Sequence, residues 1–148
     1  MGQIIKKTSN YLEILKKSNI PIILCSPTEK VITAMCFDNP EKLSLNILLS
    51  EKLLSFPQEQ RWQKAYEESK NIMLGNSTSL FLENFEMLFN PKYKIDIIKL
   101  FYEISKNRRI TIKWCGEVVN GDCLTFASPE HKDYHSYKIN DYDITCVI

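Results

Sequence analysis

The chain has 148 residues, 44% of them hydrophobic and 25% charged, and carries a formal net charge of +1. This length and composition predict a single soluble globular domain with a real core. The near-zero charge excludes a global field that would draw nucleic acid or a membrane surface, and no apolar run reaches transmembrane length.

In chain order, residues 1–19 read as an amphipathic helix carried by Ile4, Ile5, Tyr11, Leu12 and Leu15, too polar for a signal peptide. The stretch PIILC is continuous and apolar, as a strand covered on both faces should be. A short helix follows over 27–37, and Asn39-Pro40 breaks it. LSLNILL reads as a second strand. Residues 50–74 read as helix divided at Pro57, with Trp62, Tyr66 and Met73 near helical spacing. Leu80, Phe81 and Leu82 make a third strand, IDIIKLFYEISKN an amphipathic helix, RITIKWC a fourth strand and DCLTFAS a fifth. The basic pairs Lys6-Lys7, Lys16-Lys17 and Arg108-Arg109 lie near acids and read as solvated surface.

This alternation predicts an α/β fold: one three-layer, doubly wound sheet of about five mainly parallel strands. The expected organisation is a helix over 1–19, a core over 20–130 and a tail or edge strand over 131–148, all in one domain. Ligands of such sheets sit beyond the carboxyl ends of the strands, which selects 25–31, Glu83-Asn84 and 115–117.

The first of these places has the position of a phosphate-binding P-loop, GxxxxGK[ST], yet holds no glycine. Taking Lys30 as the motif lysine sets Cys25 at the first glycine, Glu29 at the second and Val31 at the hydroxyl. Ser26, Thr28, Glu29, Lys30 and Val31 are therefore the candidate nucleotide-contact positions of a degenerate Walker A motif. Ser26-Pro27-Thr28-Glu29 also fits a capping box, with Ser26 at N-cap, Pro27 at N1 and Glu29 at N3. The Glu29 carboxylate then takes the place of a phosphate and repels one. Val31 offers magnesium no oxygen.

Glu83 ends its strand as a Walker B acid would. Asn84 stands where a water-activating glutamate is expected, and an amide cannot accept a proton. No residue is assigned a catalytic role outright. The structural alternative pairs Lys30 with Glu83 across adjacent strands. No metal site is expected, since His131 and His135 are the nearest ligand spacing and lack cysteines beside them. Five cysteines, odd in number and without CxxC spacing, predict reduced thiols in a cytoplasmic protein.

Several blocks resemble one family. These are LNILLSEKLLSFPQEQR, LFLENFEMLFNPKYKIDIIKLFYEISKNRRITIKWCGE and GDCLTFASPEHKDY, which together span about residues 20–135. They are similar to BrxF, the small P-loop-containing proteins of type 3 BREX phage-defence systems. The resemblance implies a P-loop NTPase core of RecA-like or AAA-like type in a multiprotein bacterial antiviral complex. It implies ATP as the ancestral ligand, with Lys30 at the Walker A lysine and Glu83 at the Walker B acid. The chain departs from that pattern at Cys25, Glu29 and Val31.

The leading expectation is a defence subunit whose nucleotide site is degenerate and which binds partner proteins. Trp62, Tyr134, Tyr137 and Tyr142 are candidate contact aromatics. A second expectation is an oligomeric ATPase with bound ATP and magnesium, in which Arg108 or Arg109 reaches a neighbouring copy's nucleotide; the simpler role for these arginines is to complement a helix C-terminus. A third is a nucleic-acid module using Lys106, Arg108, Arg109 and Lys113. Cys115 and His131 lack an activating context for nucleophilic chemistry.

Overall fold

The computed structural model describes residues 1–7 and 11–148, so 8–10 of the expected first helix lie outside the described residues. Its elements are β1 (Gln3–Ile5), α1 (Tyr11–Leu15), β2 (Ile22–Leu24), α2 (Glu29–Met35), β3 (Glu41–Ser44), α3 (Leu45–Leu54), α4 (Arg61–Leu74), β4 (Ser79–Glu83), α5 (Ile97–Ser105), β5 (Arg109–Lys113), β6 (Glu117–Val119), β7 (Cys123–Phe126), β8 (His135–Lys138) and β9 (Thr145–Val147).

A six-stranded sheet runs in the order β1-β9-β2-β5-β4-β3, and every pairing in it is parallel. Its central strands are apolar on both sides because helices cover both faces. Ile22 and Leu24 of β2 pack with Leu15, Val31 and Met35 on one face. Ile23 and Cys25 join the larger core on the other, with Leu49, Leu53, Phe101 and Ile104. The α/β architecture and its mainly parallel sheet are those the sequence predicts, with six strands in place of about five.

Three expectations are corrected. Residues 3–5 form an edge strand on β9, so the expected helix over 1–19 is confined to Tyr11–Leu15 among the described residues. The run LSLNILL contains only the end of β3; Leu45 opens α3, because Leu45, Leu49 and Leu53 recur every four residues and bury together. Residues 123–126 do not extend the main sheet. They form the centre of a separate antiparallel sheet, β6-β7-β8.

The tail supplies the expected edge strand as β8 of the small sheet, but its last strand, β9, lies inside the main sheet between β1 and β2. Tyr137 is buried, while Tyr134 and Tyr142 are half-buried. The Tyr142 hydroxyl donates to Asp96 Oδ2 at 3.1 Å. Tyr137 and Tyr142 pack on the chain itself, and Trp62, 45% exposed, is the most exposed of the four contact aromatics.

Aromatic packing holds the small sheet to the main one. Phe89 stacks on Phe126 with ring centroids 4.1 Å apart, and the Trp114 indole N–H donates to the Thr125 carbonyl at 3.1 Å. Gly116 permits this approach, since a Cβ there would stand 1.8 Å from the Thr125 oxygen. Among the described residues no helix is long and apolar enough to cross a membrane.

Candidate functional site

The carboxyl ends of the parallel strands gather the three places selected from sequence. β2 ends at Leu24, and a turn of residues 25–28 leads into α2. Ser26 has φ +45°, so it lies outside the helix and is not its cap. Thr28 is the N-cap instead, with Oγ1 accepting from the Val31 N–H at 3.3 Å. The N-cap is thus displaced by two residues from the sequence reading, and the capping box is lost, because N3 is then Val31. Glu29 is the first residue of α2, exposed, and does not fold back into the turn as an N3 carboxylate would. Counted back from Lys30, the P-loop spacing puts its first glycine at Leu24 rather than Cys25. Leu24 is paired in the strand with Lys113 and Val147, so a leucine of β2 stands where the motif has its first glycine.

Lys7, from the segment after β1, fills the turn. Its Nζ donates to the Cys25 carbonyl at 2.7 Å and to the Ser26 carbonyl at 2.8 Å. A phosphate nest converges backbone N–H groups on an anion. Here two carbonyls converge on a cation, so the polarity of the turn is inverted. The sulfur below it belongs to the same arrangement. A hydrogen bond from the Cys146 thiol, aided by the charge of Lys7, holds the Cys25 thiol below its usual range, while that bond and burial push Cys146 up.

β5 separates β2 from β4, so Lys30 and Glu83 do not lie on adjacent strands and form no ion pair with each other. Lys30 is exposed and Glu83 half-buried at the end of β4. Asn84 has a structural task. Its φ of +51° is a conformation asparagine tolerates, its Nδ2 donates to Ser44 Oγ at 2.8 Å, and its carbonyl accepts from the Asn46 N–H at 2.7 Å. Asn46 in turn donates from Nδ2 to Glu86 Oε2 at 2.6 Å and accepts the Met87 N–H at 3.1 Å. This lattice ties the β3–α3 junction to the segment after β4.

Arg108 and Arg109 lie at the opposite edge, where β5 begins. Arg108 is 4% exposed. Its guanidinium donates to the carbonyls of Met73, Leu74 and Ser79 at 2.8–3.0 Å and meets Glu41 Oε1 at 3.1 Å. Arg109 donates to the Leu15 and Lys16 carbonyls at 3.0 and 3.3 Å and lies 3.6 Å from Asp38 Oδ2. Both complement helix C-termini, the simpler role read from sequence, and with Arg108 buried and Arg109 half-buried the pair is not the solvated surface it was also read as.

Between the 25–28 turn and the small sheet lies a cleft of two cavities, about 500 and 390 Å³, that share Ser26 and Glu117. Cys115 lines the larger one; burial, with the Glu86 charge nearby, pushes its thiol up to about 12, so it is neutral and a poor nucleophile. His131 is exposed, and its Nδ1 accepts the Asp133 N–H at 3.1 Å. His135 Nδ1 lies 2.8 Å from the Asp133 carbonyl. No group of three His, Cys, Asp or Glu is gathered to hold a metal among the described residues.

The residues present do not fit a magnesium-bound triphosphate. The turn offers carbonyls already engaged by an ammonium, and Val31 supplies no metal oxygen. Sequence reasoning missed Lys7, Ser44 and Asn46. Lys7 is 18 residues from its partner and reads locally as half of a solvated basic pair. Ser44 and Asn46 were obscured by taking residues 43–49 as strand. No protein-family model, no curated protein and no solved structure matches this chain.

Proposed function

We propose that the chain is a subunit of a BREX-like bacterial defence assembly, built on a P-loop NTPase scaffold whose nucleotide turn has become a closed structural turn. It works through contacts with other proteins of the system. The defence assignment rests on the sequence resemblance to BrxF. The scaffold reading is supported by the strand order, in which β5 is inserted between the strand entering the turn and the strand carrying Glu83, as in a RecA-like or AAA-like core.

The observation that carries the closed-site reading is the pair of hydrogen bonds from Lys7 Nζ to the Cys25 and Ser26 carbonyls. An ammonium held there gives the turn no open N–H cradle, and the resulting protein needs no hydrolysis to serve as a scaffold.

A phage-plating assay in a host carrying the defence locus tests the proposal. Deleting this chain abolishes protection and frees its partners from co-purification. Lys30→Ala and Glu83→Gln leave both intact. Protection that survives deletion removes the defence assignment, and protection lost with either point substitution removes the closed-site reading.

A further inference from the structure

Two thiols meet beneath the 25–28 turn. In the pairing of β2 with β9, Ile23 lies opposite Cys146. Cys25 is two residues beyond Ile23, so its side chain leaves the sheet on the same face. Cys25 and Cys146 accordingly share the larger core with Ile23, and the Cys146 thiol donates a hydrogen bond to the Cys25 sulfur. The two cysteines are diagonal neighbours across the strand pair, a placement that needs a small backbone shift to be bridged. Cys25 stands just past the end of β2, so that shift falls where the chain turns rather than in the middle of a strand.

The two thiols differ in access. Cys25 lines the cavity of about 390 Å³ with Lys7, Ser26 and Glu117 and is 6% exposed, whereas Cys146 is fully buried. Burial raises the thiols of Cys36 and Cys115. Cys25 is lowered in spite of burial, first by the Cys146 hydrogen bond and then by the Lys7 charge. The sulfur nearer the cleft is thus the better nucleophile, and a second sulfur lies in contact behind it. That is the arrangement of an attacking and a resolving thiol.

We propose that Cys25 and Cys146 form a reversible oxidation site for peroxide, in which Cys25 attacks and Cys146 resolves. The Cys25 thiolate attacks one peroxide oxygen, the O–O bond breaks, and hydroxide leaves to take up the proton that Cys25 gave up. Cys25 is then a sulfenic acid. The Cys146 sulfur attacks the Cys25 sulfur, and the expelled hydroxide carries off the Cys146 proton as water. Two thiols and one peroxide become one disulfide and two waters, and a dithiol reductant reverses the bond. The bridge joins β9 to β2 at the base of the turn and closes residues 25–146 into one loop. The site stands or falls without the defence assignment.

Treating the native full chain with hydrogen peroxide at neutral pH, blocking the remaining thiols with N-ethylmaleimide and mapping the proteolytic fragments by mass spectrometry tests the proposal. The expected result is the loss of two of the five free thiols, one cross-linked fragment joining Cys25 to Cys146, and full recovery with dithiothreitol. In Cys146→Ala the Cys25 sulfenic acid persists and is captured by dimedone, and in Cys25→Ser the Cys146 thiol stays reduced. Mapping of the parent chain decides the pairing even where a substitution at buried Cys146 unfolds the protein. A bridge from Cys25 to Cys115, the other thiol on the cleft, overturns the proposal. So does a parent chain whose Cys25 reacts only after denaturation, or a Cys25→Ser protein whose Cys146 is oxidised as fast as in the parent.

Discussion

Replacing Lys7 by methionine keeps the apolar stem and deletes only the ammonium. Two carbonyls then lose a charged donor. The bond to the Cys25 oxygen is partly buried and contributes about 1.5 kcal/mol; the bond to the Ser26 oxygen is exposed, water replaces it, and it adds little. For a chain of this size that loss lowers the melting temperature by about 3–6 °C. Urea unfolding followed by circular dichroism should show the midpoint moving down with an unchanged slope. The substitution does not create a nucleotide site, because Leu24 remains in its strand and Val31 still lacks an oxygen. A Lys7→Met protein as stable as the parent would refute the view that the ammonium organises the turn.

Three further outcomes follow from the same geometry. Arg108→Met removes a buried cation from three carbonyls and should cost about 3 kcal/mol or more in urea unfolding, with α4 fraying first by hydrogen exchange. Gly116→Ala forces a methyl onto the Thr125 carbonyl and should destabilise the chain by about 1–3 kcal/mol, with a shift in tryptophan emission as Trp114 is displaced. Raising the pH should destabilise the fold: Cys115 is raised from 9.0 to about 12, and Tyr66 and Tyr142 from 10.0 to about 12, mainly by burial. Above pH 9 the folded chain therefore holds more protons than the unfolded one, so stability is full below about pH 9 and falls through pH 12. A urea midpoint that stays flat from pH 8 to 11 would contradict this.

The parts of the fold that were legible in sequence are those fixed by local pattern. β4 holds the continuous apolar run Leu80 to Leu82, β5 alternates through Ile110 and Ile112, and Ile97, Ile98, Phe101 and Ile104 mark α5 by their helical spacing. The misread elements are those where two patterns compete. Leu45, Leu49 and Leu53 sit in an apolar run dense enough to pass for a buried strand, and Ile4-Ile5 merge with the helical stripe that follows them. The place of β9 inside the sheet depends on topology, which no local spacing encodes.

The site divides in the same way. The absence of glycine and of a metal hydroxyl was visible in residues 25–31, and so was the simpler role of the two arginines. The agent that closes the turn was not. Glu29, the residue sequence reasoning made responsible, belongs to the same local segment as the turn, whereas Lys7 reaches it from a neighbouring edge of the sheet. The interaction spans β1, β9 and β2, so it exists only once β9 has been inserted between the other two.

The most direct test of the inverted turn is a calorimetric titration of the purified chain with ATP and magnesium, carried to about 1 mM nucleotide. The account predicts no saturable heat, for the parent and for Lys30→Ala alike. Saturable binding by the parent, abolished by Lys30→Ala, would contradict it.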